Sequence, residues 1–361
     1  MDICEINPKA VTLEDNTLVS FVAMPDVSEN GKIKVDTFRP YGEVKKGFTC
    51  FKEGDVLFAK ITPCMENGKG ALAIGLKNGF GCGSTEFHVL RPKENMVIGK
   101  WLYYLTTWPA FRVDAERHMT GSAGQKRVPK TFLEKYELEV PSLKIQEQQV
   151  IQLDRLRKII DLRKQQLAAL DELIKARFVE MFGDPVRNSK QLPSQKMGEI
   201  CDLKAGDFTA AEDIYEVQDN KNPYPCYGGN GIRGYVNNYT QEGEFPIIGR
   251  QGALCGNIQY AKGKFRNTEH AVLVTPKVEL DKIWLFELLK LEDLYRFHTG
   301  AAQPGLAVKT LNMISVPLAE LEEQKIFAKF FNQINKTKDV VQNALDKTQT
   351  LFNSLMQQYF G

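Results

Sequence analysis

Two stretches of the chain carry apolar residues at heptad spacing and contain neither glycine nor proline. They run from about residue 145 to residue 182 and from about residue 321 to residue 360. This spacing predicts amphipathic helices with a narrow apolar seam, each about 54 Å long at about 1.5 Å per residue. We expect the two helices to pair with each other as an antiparallel intramolecular coiled coil. The alternative, in which each helix packs separately on its own globular domain, stays open.

The ends of both helices are marked in the sequence. Pro141 and Pro317 precede them, at positions where proline is compatible with helix entry, and Gly183 followed by Asp184 and Pro185 ends the first one. The seam residues are the candidates for helix pairing, and they are Leu153, Leu156, Ile160, Leu167, Leu170, Ile174, Phe330, Ile334, Val341, Leu351 and Leu355.

Ahead of each helical stretch the pattern changes to short apolar runs bounded by glycine and proline. Residues 56–61, 87–92, 245–250 and 270–276 are predicted to be strands, and the segments after Trp101 and Ile283 are predicted to be helical. This mixture is typical of the α+β class. We divide the chain into a first domain at 1–143, a spacer helix at 144–183, a second domain at 184–318 with a linker at 184–195, and a spacer helix at 319–361.

The two halves of the chain repeat one another in order. DICEI at residue 2 returns as EICDL at residue 199, TGSAGQKRVPKT at Thr120 returns as TGAAQPGLAVKT at Thr299, and VPSLKIQEQQVI at Val140 returns as VPLAELEEQKIF at Val316. A repeat of about 180 residues is far longer than a solenoid unit and indicates a duplicated domain. The second copy has additional residues before EICDL, so we expect a short opening strand in the first domain.

Composition argues against several classes of protein. No apolar run approaches the roughly 18 residues of a membrane span, and the first residues lack the apolar core of a signal peptide. Seven scattered cysteines without a C-x-x-C pair favour a reducing cytoplasm over a disulfide framework or a structural zinc site. Cys4 and Cys201 occupy equivalent positions in the repeat and are expected to be buried small apolar side chains. The net charge of +2 does not by itself indicate nucleic-acid binding.

No motif for catalysis, metal binding or cofactor binding stands out in the sequence. There is no G-x-x-x-x-G-K-[ST] phosphate loop, and the four histidines are dispersed. The GGNG run at residues 228–231 is better explained as a turn than as a phosphate cradle. We therefore expect no catalytic residue and no metal ligand in this chain, and a recognition protein rather than an enzyme.

Two loops in each copy combine basic, amide and hydroxyl side chains with small residues. Small residues allow a loop to approach a DNA backbone closely, and arginine and glutamine can make bidentate contacts with base edges. We expect the loop at 61–70 to correspond to the one at 248–257. The candidate DNA-binding residues are Lys60, Thr62, Asn67, Lys69, Arg117, Ser122, Gln125, Lys126 and Arg127 in the first copy and Arg250, Gln251, Asn257, Arg296, His298, Gln303 and Lys309 in the second. For each residue alone, a solvated loop or a helix cap is also a sufficient explanation.

The chain resembles the specificity (S) subunits of type I restriction–modification systems. The resemblance rests on the T-G-x-A segments at Thr120 and Thr299, on the V-P-x(5)-E-Q steps at 140–148 and 316–324, and on long helices that contain Leu-Asp and end in Phe-Gly. The segments ITPCMENGK and YGGNGIRGY are also similar to target-recognition sequences of that family.

The resemblance implies two target-recognition domains of mixed α/β structure joined by the long helices. Each domain would read one half of a bipartite, asymmetric sequence in double-stranded DNA. The helices would set the gap and dock two modification (methyltransferase) subunits, which restriction (translocase/endonuclease) subunits join. S-adenosylmethionine, ATP and Mg²⁺ would be bound by those partners and not by this chain.

Two other functions remain open on the residues alone. One is a DNA-modifying enzyme whose active site has diverged beyond recognition. The other is a scaffold that bridges two protein molecules through its duplicated faces and does not bind DNA.

Overall fold

The computed structural model describes residues 1–9, 12–122, 124–300 and 304–361. The chain divides into two compact units, of which the first comprises Met1–Arg163 with Ala344–Gly361 and the second Lys164–Asn343. Each unit therefore contains one globular domain, the first part of the long helix that follows it, and the last part of the other long helix.

The domain of the first unit is built on two small sheets with short helices packed around them. One sheet has the strand order β1-β8-β5-β6 and the other has the order β3-β2-β7-β4. The strands are β1 (Cys4–Ile6), β2 (Leu18–Val22), β3 (Phe38–Pro40), β4 (Thr49–Lys52), β5 (Val56–Ala59), β6 (Gly70–Leu72), β7 (Phe80–Gly83) and β8 (Phe87–Pro92). The helices are α1 (Tyr41–Val44), α2 (Gly99–Thr107), α3 (Pro109–Arg117), α4 (Lys130–Lys135) and the long α5 (Leu143–Phe182).

The domain of the second unit has a larger sheet, in which the strand order is β10-β15-β13-β14-β11-β12, and a separate pair formed by β9 and β16. The strands are β9 (Ser194–Lys196), β10 (Cys201–Ala205), β11 (Tyr224–Gly228), β12 (Gly231–Val236), β13 (Gln241–Gly249), β14 (Ile258–Asn267), β15 (Ala271–Pro276) and β16 (Ser315–Pro317). The helices are α6 (Met197–Ile200), α7 (Lys282–Leu291), α8 (Val308–Met313) and the long α9 (Leu321–Phe360).

The β1-β8-β5-β6 sheet of the first unit and the six-stranded sheet of the second unit share a core of four strands. This shared core confirms the α+β class and the duplication. The order β1-β8-β5-β6 in the first unit matches β10-β15-β13-β14 in the second, and Cys4 pairs with Pro92 as Cys201 pairs with Pro276. Both cysteines are buried as expected, and burial raises the pKa of the Cys4 thiol to about 11 and that of the Cys201 thiol to about 12. The opening strand of the first domain has three residues and that of the second has five.

Composition favours reduced cysteines without a disulfide framework, and one pair among the described cysteines departs from it. Cys50 and Cys82 face each other directly across β4 and β7 and form a disulfide. Sequence spacing could not reveal this pair, because the two cysteines are 32 residues apart and meet only through the antiparallel register of the strands. The other five cysteines are free thiols.

The two long helices pair with each other, and the contacts within each unit show that they run antiparallel. In the first unit the Arg163 guanidinium donates to the carbonyl oxygen of Ala344 and to Thr348 Oγ1. In the second unit the rings of Phe178 and Phe327 lie 5.2 Å apart. In the first unit the Tyr359 hydroxyl also donates to Gln152 Oε1. Early positions of α5 thus meet late positions of α9, and late positions of α5 meet early ones.

The helix seam follows the predicted stripe with one correction. Leu153, Ile160, Ile174 and Val341 are buried, while Leu351 is 49% exposed. On α9 the buried positions near Leu351 are Leu345, Thr348, Phe352 and Met356, because spacings of three and four residues bring Phe352 rather than its neighbour to the inner face. The remaining candidates, which are half-buried along the seam, are Leu156, Leu167, Leu170, Phe330, Ile334 and Leu355.

A buried glutamine attaches each long helix to its domain. The side chain of Gln146 donates to the carbonyl oxygens of Met96 and Pro141, and that of Gln324 donates to the carbonyl oxygen of Ala319. The structural counterpart of Gln324 is therefore Gln146. Alignment of the two V-P-x(5)-E-Q steps had paired Gln324 with Gln148, which is exposed.

The last turn of each long helix packs on the domain that the other helix follows. In the first unit the Phe360 ring lies 4.9 Å from the Trp101 ring of α2. In the second unit the Phe182 ring lies 6.0 Å from the Trp284 ring of α7. Each unit is therefore completed by a segment from the other half of the sequence.

Candidate nucleic-acid interface

In the first unit, backbone hydrogen bonds hold the two predicted loops side by side. Thr120 and Arg127 exchange N–H···O bonds of 3.0 and 2.8 Å, which close the T-G-x-A segment into a tight hairpin. The Thr62 N–H donates to the carbonyl oxygen of Lys126 at 3.0 Å, and the Val128 N–H donates to that of Lys60 at 2.9 Å. The loop after β5 and the T-G-x-A hairpin therefore form one surface.

The second unit repeats this arrangement bond for bond. Thr299 and Gly305 exchange N–H···O bonds of 2.8 and 2.9 Å. The Gly252 N–H donates to the carbonyl oxygen of Pro304 at 3.0 Å, and the Leu306 N–H donates to that of Arg250 at 2.8 Å. Both domains thus use the same backbone frame to present two loops together.

The shared frame corrects the predicted correspondence of the first loops. Lys60 and Arg250 occupy the same position, because each carbonyl accepts from the residue that follows the hairpin, while their N–H groups donate to Glu86 and His270 at 2.9 and 3.0 Å. Ile61 therefore corresponds to Gln251 and not to Ile248. Both domains place a basic side chain at the first position of this loop.

Several candidate side chains of the first unit are engaged within the domain. The Arg127 guanidinium binds both carboxylate oxygens of Glu86 at 2.9 and 2.8 Å, and this hydrogen bonding lowers the pKa of Glu86. Lys69 Nζ donates to the carbonyl oxygen of Met24 at 3.1 Å, and Thr62 Oγ1 donates to Glu66 Oε1 at 2.8 Å. These three residues shape the surface, and Arg127 is not a free cation.

Other candidates of the first unit project into solvent. Arg117 and Lys126 line one open groove together with Thr62, and neither cation has an ion-pair partner among residues 1–9, 12–122 and 124–163. The exposed polar candidates on the same two loops are Asn67, Ser122 and Gln125, while Lys60 is half-buried.

A buried histidine fastens the hairpin of the first unit to the sheet beneath it. His88 Nε2 donates to the carbonyl oxygen of Val128 at 2.8 Å, so that Nδ1 is the acceptor for the Asn7 amide at 3.0 Å. Burial is the main cause that lowers the pKa of His88, which keeps the ring neutral. His88 thus fixes the residue next to Arg127.

In the second unit two predicted DNA-binding residues have other partners. Arg296 forms an ion pair with the carboxylate of Glu292, which is 1% exposed and whose pKa burial raises to about 7. His298 stacks on Tyr295 with 4.3 Å between ring centroids. Arg296 is thus bound to a buried carboxylate although its own side chain is 34% exposed, and a loop-based prediction could not foresee this pairing.

The remaining candidates of the second unit lie on or near the shared surface. Gln251 is exposed, and the Asn257 side chain donates to Asn230 Oδ1 at 3.1 Å. Arg250 is half-buried, and Lys309 is exposed on α8 rather than on a loop. Gln303 lies outside the described residues.

The described residues contain no group of three or more His, Cys, Asp or Glu side chains that could hold a metal ion. They also contain no helix that is long and apolar enough to cross a membrane.

Comparison with known proteins finds the same duplication in the sequence. The model of the type I restriction modification DNA specificity domain matches residues 1–172 and again residues 193–348. The chain belongs to this family. The predicted resemblance is thereby confirmed, and the pair of loop surfaces corresponds to a specificity domain that occurs twice.

The curated relatives carry the same family name but match only part of the chain. The chain is 43% identical over 172 residues to the type I restriction enzyme EcoAI specificity subunit of Escherichia coli, which is 47% of this chain and 29% of that protein. It is 40% identical over 163 residues to the EcoprrI specificity subunit of Escherichia coli, which is 45% of this chain and 37% of that protein. Each match thus spans less than two fifths of the relative's own length.

Solved structures of specificity subunits share the fold across the whole chain. The type I restriction–modification S subunit from M. genitalium is 18% identical with a TM-score of 0.61, and the match covers 100% of this chain and 94% of that one. A chain from a type I R-M system, solved to explain complex assembly and conformational transition, has a TM-score of 0.60 at 18% identity, with coverage of 95% and 91%. At this identity the likeness establishes the fold alone.

The sequence-based site omitted residues that the specificity-domain fold brings to the same surface. Asn230 belongs to the YGGNGIRGY segment and accepts a hydrogen bond from the Asn257 side chain of the first loop, and Arg233 of the same segment is exposed. The glycine-rich turn was recognised, but its position next to that loop depends on the pairing of β11 with β14, which are 30 or more residues apart.

Proposed function

We propose that this chain is the sequence-specific DNA-recognition subunit of a type I restriction–modification complex. Each domain reads one half of a bipartite, asymmetric target in double-stranded DNA through its two-loop surface. The observation that carries the proposal is the shared backbone frame, in which the bonds at Lys60 and Thr120 recur at Arg250 and Thr299 with different side chains around them. One scaffold with two sets of side chains suits a pair of unlike half-sites.

The partners follow from the same proposal. The paired helices α5 and α9 dock two methyltransferase subunits and set the gap between half-sites, and restriction subunits complete the complex in the cytoplasm. The methyltransferase and restriction subunits bind S-adenosylmethionine, ATP and Mg²⁺, and this chain supplies recognition without catalysis. Cationic side chains such as Arg117 and Lys126 contact phosphates, so binding weakens as salt increases.

The test uses the purified full chain with and without its methyltransferase partner. The complex should transfer methyl groups from S-adenosylmethionine to one bipartite sequence, located by sequencing a methylated library of random duplexes. The chain alone should transfer none. Methylation or cleavage by the chain alone would favour the diverged-enzyme alternative. A complex that binds two protein molecules and shows no sequence preference for DNA would favour the bridging scaffold.

A further inference from the structure

A β-hairpin in the second unit lies against the first of the two recognition loops. Strands β11 and β12 form a hairpin at one end of the six-stranded sheet, and its tip is the turn Gly228–Gly231. A Cβ atom added at Gly249 would lie 1.9 Å from the carbonyl oxygen of Gly229, so the two backbones pack as closely as glycine permits. The Asn257 amide donates to Asn230 Oδ1 at 3.1 Å. The hairpin tip therefore forms one surface with the loop that carries Gln251.

A β-bulge places an arginine near the tip of this hairpin. Cys226 pairs with Gly234 and Tyr227 pairs with Ile232, which leaves Arg233 as the extra residue on β12. Such bulges redirect a side chain and are frequent beside functional sites. Arg233 is exposed, and its guanidinium makes no hydrogen bond or ion pair with the described residues 164–300 and 304–343.

Other arginines of this unit are committed to structure. Arg266 donates to Thr209 Oγ1 at 3.0 Å and to Asn238 Oδ1 at 2.8 Å, and Arg296 is paired with Glu292. Arg233 thus differs from them in having an exposed guanidinium on the last strand of the sheet.

Buried polar atoms near the hairpin tip also lack partners. Arg250 Nε, Glu269 Oε2 and His270 Nδ1 are buried and have no hydrogen-bond partner within the described part of the chain. A Cβ added at Gly229 would lie 3.3 Å from the carbonyl oxygen of His270, which itself accepts from the Arg250 N–H. His270 Nε2 pairs with Glu269 Oε1 at 3.2 Å, so polar groups lie together where the hairpin tip meets the recognition loop.

We infer that the β11–β12 hairpin is a base-reading element of the second domain and that Arg233 contacts a base edge in the major groove. The inference rests on the proposed function. Arginine binds guanine O6 and N7 in the major groove in a bidentate manner. In the first unit β2 and β3 take the corresponding place, because β2 pairs in parallel with β7 as β11 pairs with β14. Residues 23–37 join β2 to β3 there, whereas a tight turn joins β11 to β12. The tight hairpin with Arg233 therefore makes the two half-sites chemically different.

The experiment measures the base preference of the methyltransferase–specificity complex on duplex libraries in which each half-site is randomised in turn. Arg233→Ala should reduce discrimination at one position of a single half-site by about 10- to 100-fold and leave the other half-site unchanged. Arg233→Lys keeps the charge but loses the planar fork, so it should show the same loss. Arg187→Ala removes an exposed arginine of the linker after α5 and serves as the matched control.

The outcomes separate this inference from the function on which it rests. If Arg233→Ala weakens binding equally for all sequences and Arg233→Lys restores it, Arg233 is a phosphate contact and the inference is wrong. If both variants keep the parental preference, the hairpin does not read bases. If the unmodified complex itself has no preference for a bipartite sequence, the proposed function has failed instead. Unchanged thermal unfolding of both variants shows that any effect is not a loss of fold.

Discussion

The side chain of Gln146 accepts a hydrogen bond of 2.9 Å from the backbone N–H of Ile98, the residue that precedes α2. Gln324 accepts the same bond at 2.9 Å from Asp281, the residue that precedes α7. Both glutamines are buried, so each long helix is tied to the first turn of a domain helix by a carboxamide that no water molecule can easily replace.

We expect Gln146→Ala to lower the free energy of unfolding by about 3 kcal/mol, because it leaves the Ile98 N–H and two carbonyl oxygens without partners in a buried place. The matched control is Gln148→Ala on the exposed face of the same helix, which should change it by less than about 0.5 kcal/mol. Urea denaturation monitored by tryptophan fluorescence measures both. Equal effects would show that Gln146 has no special role in attaching the helix.

Truncation of the two helix-terminal phenylalanines should have unequal effects. Phe182 is 2% exposed and packs on Phe178, Trp284 and Phe327, whereas Phe360 is half-buried. Phe182→Ala should cost about 3–5 kcal/mol, and Phe360→Ala less, because a partly exposed ring loses less burial and leaves a smaller cavity. Thermal unfolding of the two variants tests the order, and a larger effect at Phe360 would contradict it.

The buried carboxylate of Glu292 predicts a dependence of stability on pH. Burial raises its pKa to about 7 despite the opposing effect of Arg296, so the folded state binds a proton more readily than the unfolded state does. The stability that this proton provides is fully present below about pH 4.5 and is lost as pH rises through 7. We therefore compare the free energy of unfolding of Glu292→Gln with that of the parent. Between pH 5 and pH 8 the difference should shift in favour of the variant by at most about 3 kcal/mol.

Denaturation midpoints of the parent and of Glu292→Gln at both pH values test this prediction. Glu172→Gln, at an exposed position of α5, is the control and should show no such difference. If Glu292→Gln follows the parent at every pH, the carboxylate does not titrate in this range.

The helix pair offers a test of the gap between half-sites. Leu153, Ile160, Leu167 and Ile174 are seven residues apart, so removal of one heptad from both α5 and α9 keeps the seam in phase. Such a double deletion shortens each helix by about 10 Å, and the gap in the methylated target should shrink by about three base pairs.

The half-site sequences of the double deletion should be unchanged, since no recognition loop is altered. A deletion in α5 alone displaces its contacts with α9 and should instead destabilise the protein. Altered half-site sequences in the double deletion would show that the helices do more than separate the domains.

The fold could be predicted to the level of domains and helices because its signals are local or repeated. Heptad spacing predicts α5 and α9 to within about two residues, and short apolar runs bounded by glycine and proline predict strands such as β8 and β15. The exposed Leu351 and the corrected partners Gln146 and Gln324 show the limit of that approach. Which residue faces inward at the end of a helix, or which of two nearby glutamines is buried, depends on what packs against it.

The candidate site could be predicted as a pair of loops but not as a set of free side chains. Arg127 and Arg296 look like DNA contacts in sequence. In the structure Arg127 is bound by Glu86, which is 41 residues away, and Arg296 is bound by Glu292, which is 4 residues away. Arg233 showed no signal beyond a glycine-rich turn, because its exposure results from a bulge set by strand pairing. The pairing of segments that are distant in sequence determines which charged side chains are free to contact DNA. A single sequence does not reveal that pairing.

The contact between Trp101 and Phe360 has a consequence for biosynthesis. The first domain emerges from the ribosome before the second, yet the aromatic face around Trp101 and Tyr104 receives Phe360 and Phe352 only after the second domain has been made. Of the two domains, the one made earlier is thus completed later. Until then the aromatic face around Trp101 and Tyr104 is exposed to solvent. A chain interrupted before residue 344 would leave this face permanently accessible to chaperones and proteases.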